Sequence, residues 1–164
     1  MSDVFIDNQA DIVADDNNLV SRWFEYASLP MMDDGIIYWY RESGPTKFYK
    51  KTYRRLKKDT NLKFRRTWDL EEAEIYHYMV DEYPDDPRQT GEARWTNEDR
   101  VWELSSKRYK WKKGTIVHEI GHALGLDHPD DHPWGDDTIM SYNRYSNMDY
   151  FSPKDIDYLT GMYI

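Results

Sequence analysis

The chain has 164 residues, with 31 Asp and Glu against 22 Lys and Arg, five His and no Cys. That length suits one domain able to bury a core. A net charge of −9 argues against a non-specific nucleic-acid binder. The lack of Cys excludes disulfides, thiolate nucleophiles and Cys-ligated metal sites.

A mean hydropathy of −0.97 leans toward disorder. Seven Trp, fourteen Tyr and five Phe reverse that reading, because each buries a large area despite scoring as weakly apolar. No apolar run approaches the ~20 residues that cross a membrane. Met1–Val4 opens no basic-then-apolar signal pattern. The compartments expected are then the cytoplasm, non-classical export or carriage within an assembly.

Residues 1–30 form an acidic segment, with six acids against Arg22. Asp15-Asp16-Asn17-Asn18 reads as a cap, and Leu19, Val20, Trp23, Phe24 and Ala27 follow at helical spacing. Gly35–Tyr40 is a strand, and Ser43-Gly44-Pro45 a turn. Residues 46–59 predict the clearest amphipathic helix: Phe48, Tyr49, Thr52, Tyr53 and Leu56 make one stripe, with Lys and Arg opposite. Thr46–Arg66 holds ten basic residues and one acid, a local +9 that leaves the rest at −18. No stacking platform or reading motif accompanies the charge, so it reads as a solvated face and not as a nucleic-acid site. Further strands are expected at Leu62–Trp68, Glu74–Asp81, Glu92–Thr96 and Arg100–Leu104. His77 falls in the second of these as an ordinary polar residue. Strands interleaved with helices predict a mixed α/β sheet.

Residues 118–128 read His-Glu-Ile-Gly-His-Ala-Leu-Gly-Leu-Asp-His. On a helix, His118 and His122 lie one turn apart and point the same way, so both can bind one metal. Glu119 leans to the same side. Ile116, Val117, Ile120, Ala123 and Leu124 make the anchoring face. His128 can share the site only if the chain turns back. Gly125 permits the left-handed conformation that ends the helix, and Pro129 prevents continuation. Three imidazoles favour Zn²⁺, and three ligands without Cys leave an open position, the catalytic arrangement. Glu119 would deprotonate a water held there and protonate the leaving amine, which is what amide hydrolysis requires. His132 is a rival ligand. The acid pairs Asp85-Asp86, Asp130-Asp131 and Asp136-Asp137 could meet Ca²⁺, but no ligand-loop spacing supports calcium.

This pattern resembles that of the metzincin zinc peptidases at every fixed position. Pro129 and Thr138-Ile139-Met140-Ser141-Tyr142 are most similar to the serralysins, while the text of residues 118–126 is shared with the matrixins. The resemblance implies a metzincin-like zincin fold of α+β or α/β class. Its mixed, mostly parallel twisted sheet has about five strands, with three main helices and an active-site cleft. It implies one catalytic domain over 1–164, with an upper part at 35–125 and a lower part at 126–164. Met140 would support the site from a Met-turn, and Tyr142 would be an auxiliary zinc ligand or oxyanion donor. Glu92–Thr96 would be the edge strand, where a protein or peptide substrate adds as an extended strand. Ser152, Pro153 and Asp155 would cap a last helix. A monomer is expected. The departures are the missing glycine- and aspartate-rich calcium repeats and the missing Cys, which excludes thiol-based latency. The competing reading is a zinc-stabilised binding or structural module of a larger assembly with little turnover.

Overall fold

The computed structural model describes residues 4–8, 35–96, 99, 101–109, 111–126, 138–140 and 148–162. Among these lie six strands: β1 (Val4–Asn8), β2 (Ile37–Arg41), β3 (Phe64–Arg66), β4 (Ile75–Val80), β5 (Gly91–Thr96) and β6 (Val101–Lys107). Three α-helices join them: α1 (Thr46–Asp59), α2 (Lys113–Ala123) and α3 (Pro153–Met162).

The sheet order is β1-β5-β6-β4-β2-β3. β2 pairs in parallel with β3 and β4, and β4 with β6. β5 runs antiparallel to β6. Strands β2–β6 thus form the expected mixed, mostly parallel sheet. β1 adds a sixth, antiparallel to β5, from a stretch where no strand was expected. The helix expected at residues 19–27 lies outside the described residues.

α1 matches its sequence boundaries because its stripe is continuous. Phe48, Tyr49, Thr52, Tyr53 and Leu56 are all buried, while Lys50, Lys51, Arg54 and Arg55 are exposed. Thr60 closes the helix: its N–H and hydroxyl both donate to the Leu56 carbonyl, at 2.9 and 2.6 Å. Lys57 and Lys58 lie in the last turn, where cations favour the helix dipole. A parallel β2–β3 pair requires a crossover, and α1 supplies it across one face of the sheet.

That interface is aromatic. Trp39 stacks on Tyr53 at 4.9 Å between ring centroids, and Tyr49 on His77 at 4.2 Å. His77 is therefore not the ordinary polar strand residue expected. It is 2 % exposed, with its Nε2 2.6 Å from the Tyr53 hydroxyl. Burial pushes its pKa down to about 3, so the ring is neutral and packs as an aromatic with one polar contact.

α2 packs on β5 and β6. The two come close at Gly91, where a Cβ would stand 2.6 Å from Thr115 Cγ2 and 2.9 Å from Glu119 Oε1. Only glycine lets the start of β5 come this near the helix that carries the candidate site.

Candidate metal centre

α2 is buried on every side, from Gly114 to Ala123. Ile116, Val117, Ile120 and Ala123 join the main core, so the helix is anchored without using its His face. His118 and His122 are both 0 % exposed, and Glu119 is 1 % exposed. The i, i+4 spacing brings the two Nε2 atoms to 3.2 Å, with the rings nearly perpendicular at 84°. A ligand atom of Glu119 lies within 4.8 Å of both.

Two carbonyls orient the rings. His118 Nδ1 is 2.9 Å from the Ile139 oxygen, and His122 Nδ1 is 2.8 Å from the Leu126 oxygen. A carbonyl only accepts, so each Nδ1 carries the proton and donates it. In its neutral form each ring then has its lone pair on Nε2.

The Leu126 carbonyl is placed by the end of the helix. Gly125 has φ +99°, the left-handed conformation that its spacing demanded. Leu126 N–H donates to the Gly121 carbonyl at 2.9 Å and Gly125 N–H to the His122 carbonyl at 2.9 Å. This is the Schellman pattern. The turn that ends the helix also fixes the ring of His122.

The Ile139 carbonyl is placed by Asp155. This carboxylate, 1 % exposed, accepts from Ile139 N–H and Ser152 N–H through Oδ2, each at 3.0 Å, and from the Thr138 hydroxyl through Oδ1. Thr138 Oγ1 in turn accepts from Met140 N–H at 3.0 Å. Ser152 Oγ accepts from Asp155 N–H at 3.2 Å, which completes a reciprocal capping box at the start of α3. The cap is therefore also the bolt that holds the 138–140 turn. Met140, 2 % exposed, lies against the helix at Gly121, where a Cβ would stand 2.5 Å from its sulfur.

Of the residues singled out in the sequence, the structure brings His118, Glu119, His122, Gly125 and Met140 together. His128, Tyr142, His132, Asp130-Asp131 and Asp136-Asp137 lie outside the described residues. The carbonyls of Leu126 and Ile139, the tether of Asp155 and the close approaches at Gly91 and Gly121 were not read from the sequence. Only Asp155 had a signal, its spacing from Ser152. Asp86, one of the acids weighed for calcium, accepts from Arg88 N–H at 2.9 Å and pairs with its guanidinium.

The site suits zinc on its own geometry. Two nitrogens each ~2.0–2.1 Å from a tetrahedral ion are roughly 3.3–3.4 Å apart, against the 3.2 Å between the Nε2 atoms. With both Nδ1 protons committed to carbonyls, two neutral rings have no Nε2 proton to share. A shared cation makes so close an approach of two acceptors favourable.

No curated protein matches the chain. The matrixin model of the M10 peptidases matches residues 36–163, which span β2 through α3 and the whole His-Glu-x-x-His helix. Both the matched span and a paired-imidazole site with a carboxylate beside it lead to one assignment: the chain belongs to the matrixin family of zinc-dependent metalloendopeptidases.

Proposed function

We propose that this chain hydrolyses internal peptide bonds with His118, His122 and His128 as zinc ligands and Glu119 as general base and acid. The observation that carries the reading is the convergence of two lone-pair-bearing Nε2 atoms 3.2 Å apart with a buried carboxylate beside them. Zinc held there would supply Lewis-acid polarisation of the scissile carbonyl and acidify water. Glu119 takes the proton from the attacking water and returns it to the departing amine. Its burial supports that work, because a carboxylate shielded from bulk water acts on whatever enters the site. Tyr142 is the auxiliary ligand or oxyanion donor in this scheme, as in the serralysins the motif resembles, and Met140 supports the two imidazoles from below.

The substrate is a protein or peptide in extended form. It adds along β5, whose first residue, Gly91, touches Glu119. No helix among the described residues is long and apolar enough to cross a membrane.

The test is a pair of proteins, wild type and Glu119→Gln, loaded with zinc and offered a quenched peptide library. General acid–base catalysis contributes about 10²- to 10⁴-fold. The variant should keep one zinc per chain and the wild-type melting temperature while its kcat falls by that factor. Equal kcat in the two proteins would remove Glu119 from the mechanism. Stoichiometric zinc with no cleavage by wild type would instead favour the binding-module reading.

A further inference from the structure

β1 lies outside the segment that the matrixin model covers, since the match begins at residue 36. It nevertheless joins the sheet in five consecutive antiparallel pairs, from Val4↔Thr96 to Asn8↔Glu92. β5 is therefore flanked on both sides, by β6 and by β1. The outer edge of β5 is the edge along which an extended substrate is proposed to add. A strand has one set of outward N–H and C=O groups, so β1 and a substrate cannot both use them.

β1 also runs toward the candidate site, antiparallel to β5. The strand enters beside Thr96 and leaves beside Glu92. The next β5 residue is Gly91, whose Cβ position is 2.9 Å from Glu119 Oε1. The C-terminal end of β1 thus finishes about one strand residue, ~3.3 Å of rise, from the level of the catalytic carboxylate. Val4, Phe5 and Ile6 are strong strand formers, and this edge strand carries none of the Lys or Pro that discourage pairing.

We propose that Val4–Asn8 is a tethered ligand of the substrate edge, held in the place of a substrate strand and displaced before another peptide binds. The proposal rests on the reading of β5 as the substrate strand. A tethered segment acts at an effective concentration of the order of 1 mM, so a strand that binds in trans with a Kd of about 0.1 mM would raise the apparent Kd of a competitor roughly tenfold.

Because the chain has no Cys, a single engineered bridge can test this on the full-length protein. Asn8 and Glu92 are directly opposed, and the Cα separations of opposed antiparallel residues fall in the range a disulfide spans. In the Asn8→Cys/Glu92→Cys protein, oxidation should lock β1 in place and reduction should restore its exchange with a competitor. The probe is a fluorescein-labelled peptide of residues 2–10, read by fluorescence anisotropy on zinc-free protein, so that binding is measured without turnover. Expected is at least a tenfold loss of peptide affinity on oxidation, recovered on reduction.

A second protein, Phe5→Pro/Ile6→Pro, removes an inter-strand donor whichever of the two amides faces β5. It should bind the peptide about tenfold tighter than wild type. When zinc-loaded, its KM for a quenched peptide should fall by a similar factor with kcat unchanged. Equal peptide affinity in oxidised and reduced protein, together with equal affinity in the proline variant and wild type, would overturn the tether. If no protein in the set cleaves peptide, the endopeptidase reading fails, and the anisotropy alone decides the tether.

Discussion

Asp155 offers the sharpest test of how the site is held, because it touches neither imidazole and yet sets one of them. Its two oxygens take three donors: Thr138 hydroxyl, Ile139 N–H and Ser152 N–H. Hydrogen bonds to a charged acceptor contribute about 1.5–3 kcal/mol each, against about 1 for neutral ones. Asp155→Asn keeps the shape and one good acceptor while the amide nitrogen meets a donor, for a net loss of roughly 2 kcal/mol. Asp155→Ala strands two main-chain donors in a buried place, for roughly 4 kcal/mol or more. The consequence for the metal runs through Ile139, whose carbonyl accepts from His118 Nδ1. Removal of an outer partner of a ligating His lowers metal affinity by about 10- to 100-fold. The assay is zinc competition against a chromophoric chelator, with thermal unfolding in parallel. For a chain of this size Asp155→Asn should lower Tm by about 4–8 °C and weaken zinc at least tenfold while the protein is folded. A folded Asp155→Ala protein that binds zinc as tightly as wild type would break the link from α3 through the 138–140 turn to His118.

Three further outcomes follow from close contacts and burial. Gly91→Ala places a Cβ 2.6 Å from Thr115 Cγ2 and 2.9 Å from Glu119 Oε1, and displacement of a catalytic group by an ångström can cost about 10²-fold; kcat should fall by about 10- to 100-fold, and adding Thr115→Ser should recover melting temperature but not kcat. Gly121→Ala drives a methyl to 2.5 Å from Met140 Sδ and 3.4 Å from Phe151, an overpacking cost of about 1–3 kcal/mol; urea denaturation should show that cost shrink by more than 1 kcal/mol when Met140→Ala is already present. His77 has its folded pKa depressed to about 3 by burial, against about 6.5 when unfolded. Its contribution is therefore complete above about pH 6.5 and is lost as pH falls toward 3, at ~1.4 kcal/mol per unit. Between pH 7 and pH 5 wild type should lose roughly 2 kcal/mol more than His77→Phe, and parallel losses would refute the neutral, buried ring.

What the sequence revealed and what it concealed divide along a physical line. The helix over 46–59 was legible because its burial follows a local period, and so were the paired imidazoles and the left-handed Gly125. The sequence pattern ends β6 at Leu104, but the strand runs to Lys107. Its buried Ser105 and Ser106 find partners in Tyr83 and Met79, more than twenty residues away, so alternation fails while pairing continues. β1 is silent in the sequence because a few apolar residues carry no period, and its partner strand begins at Gly91. The site divides in the same way. A metal-ligating side chain is chosen by residue type, which a sequence displays. The groups that fix His118 and His122 are carbonyls, which every residue owns, so nothing at Leu126 or Ile139 marks them. They are selected by the Schellman turn in one case and by the Asp155 tether in the other. Any side chain that fits positions 126 and 139 would present the same oxygen, whereas Gly125 and Asp155 have no such freedom. The chemistry of the centre is written in its histidines, and its precision is written in residues that never touch the metal.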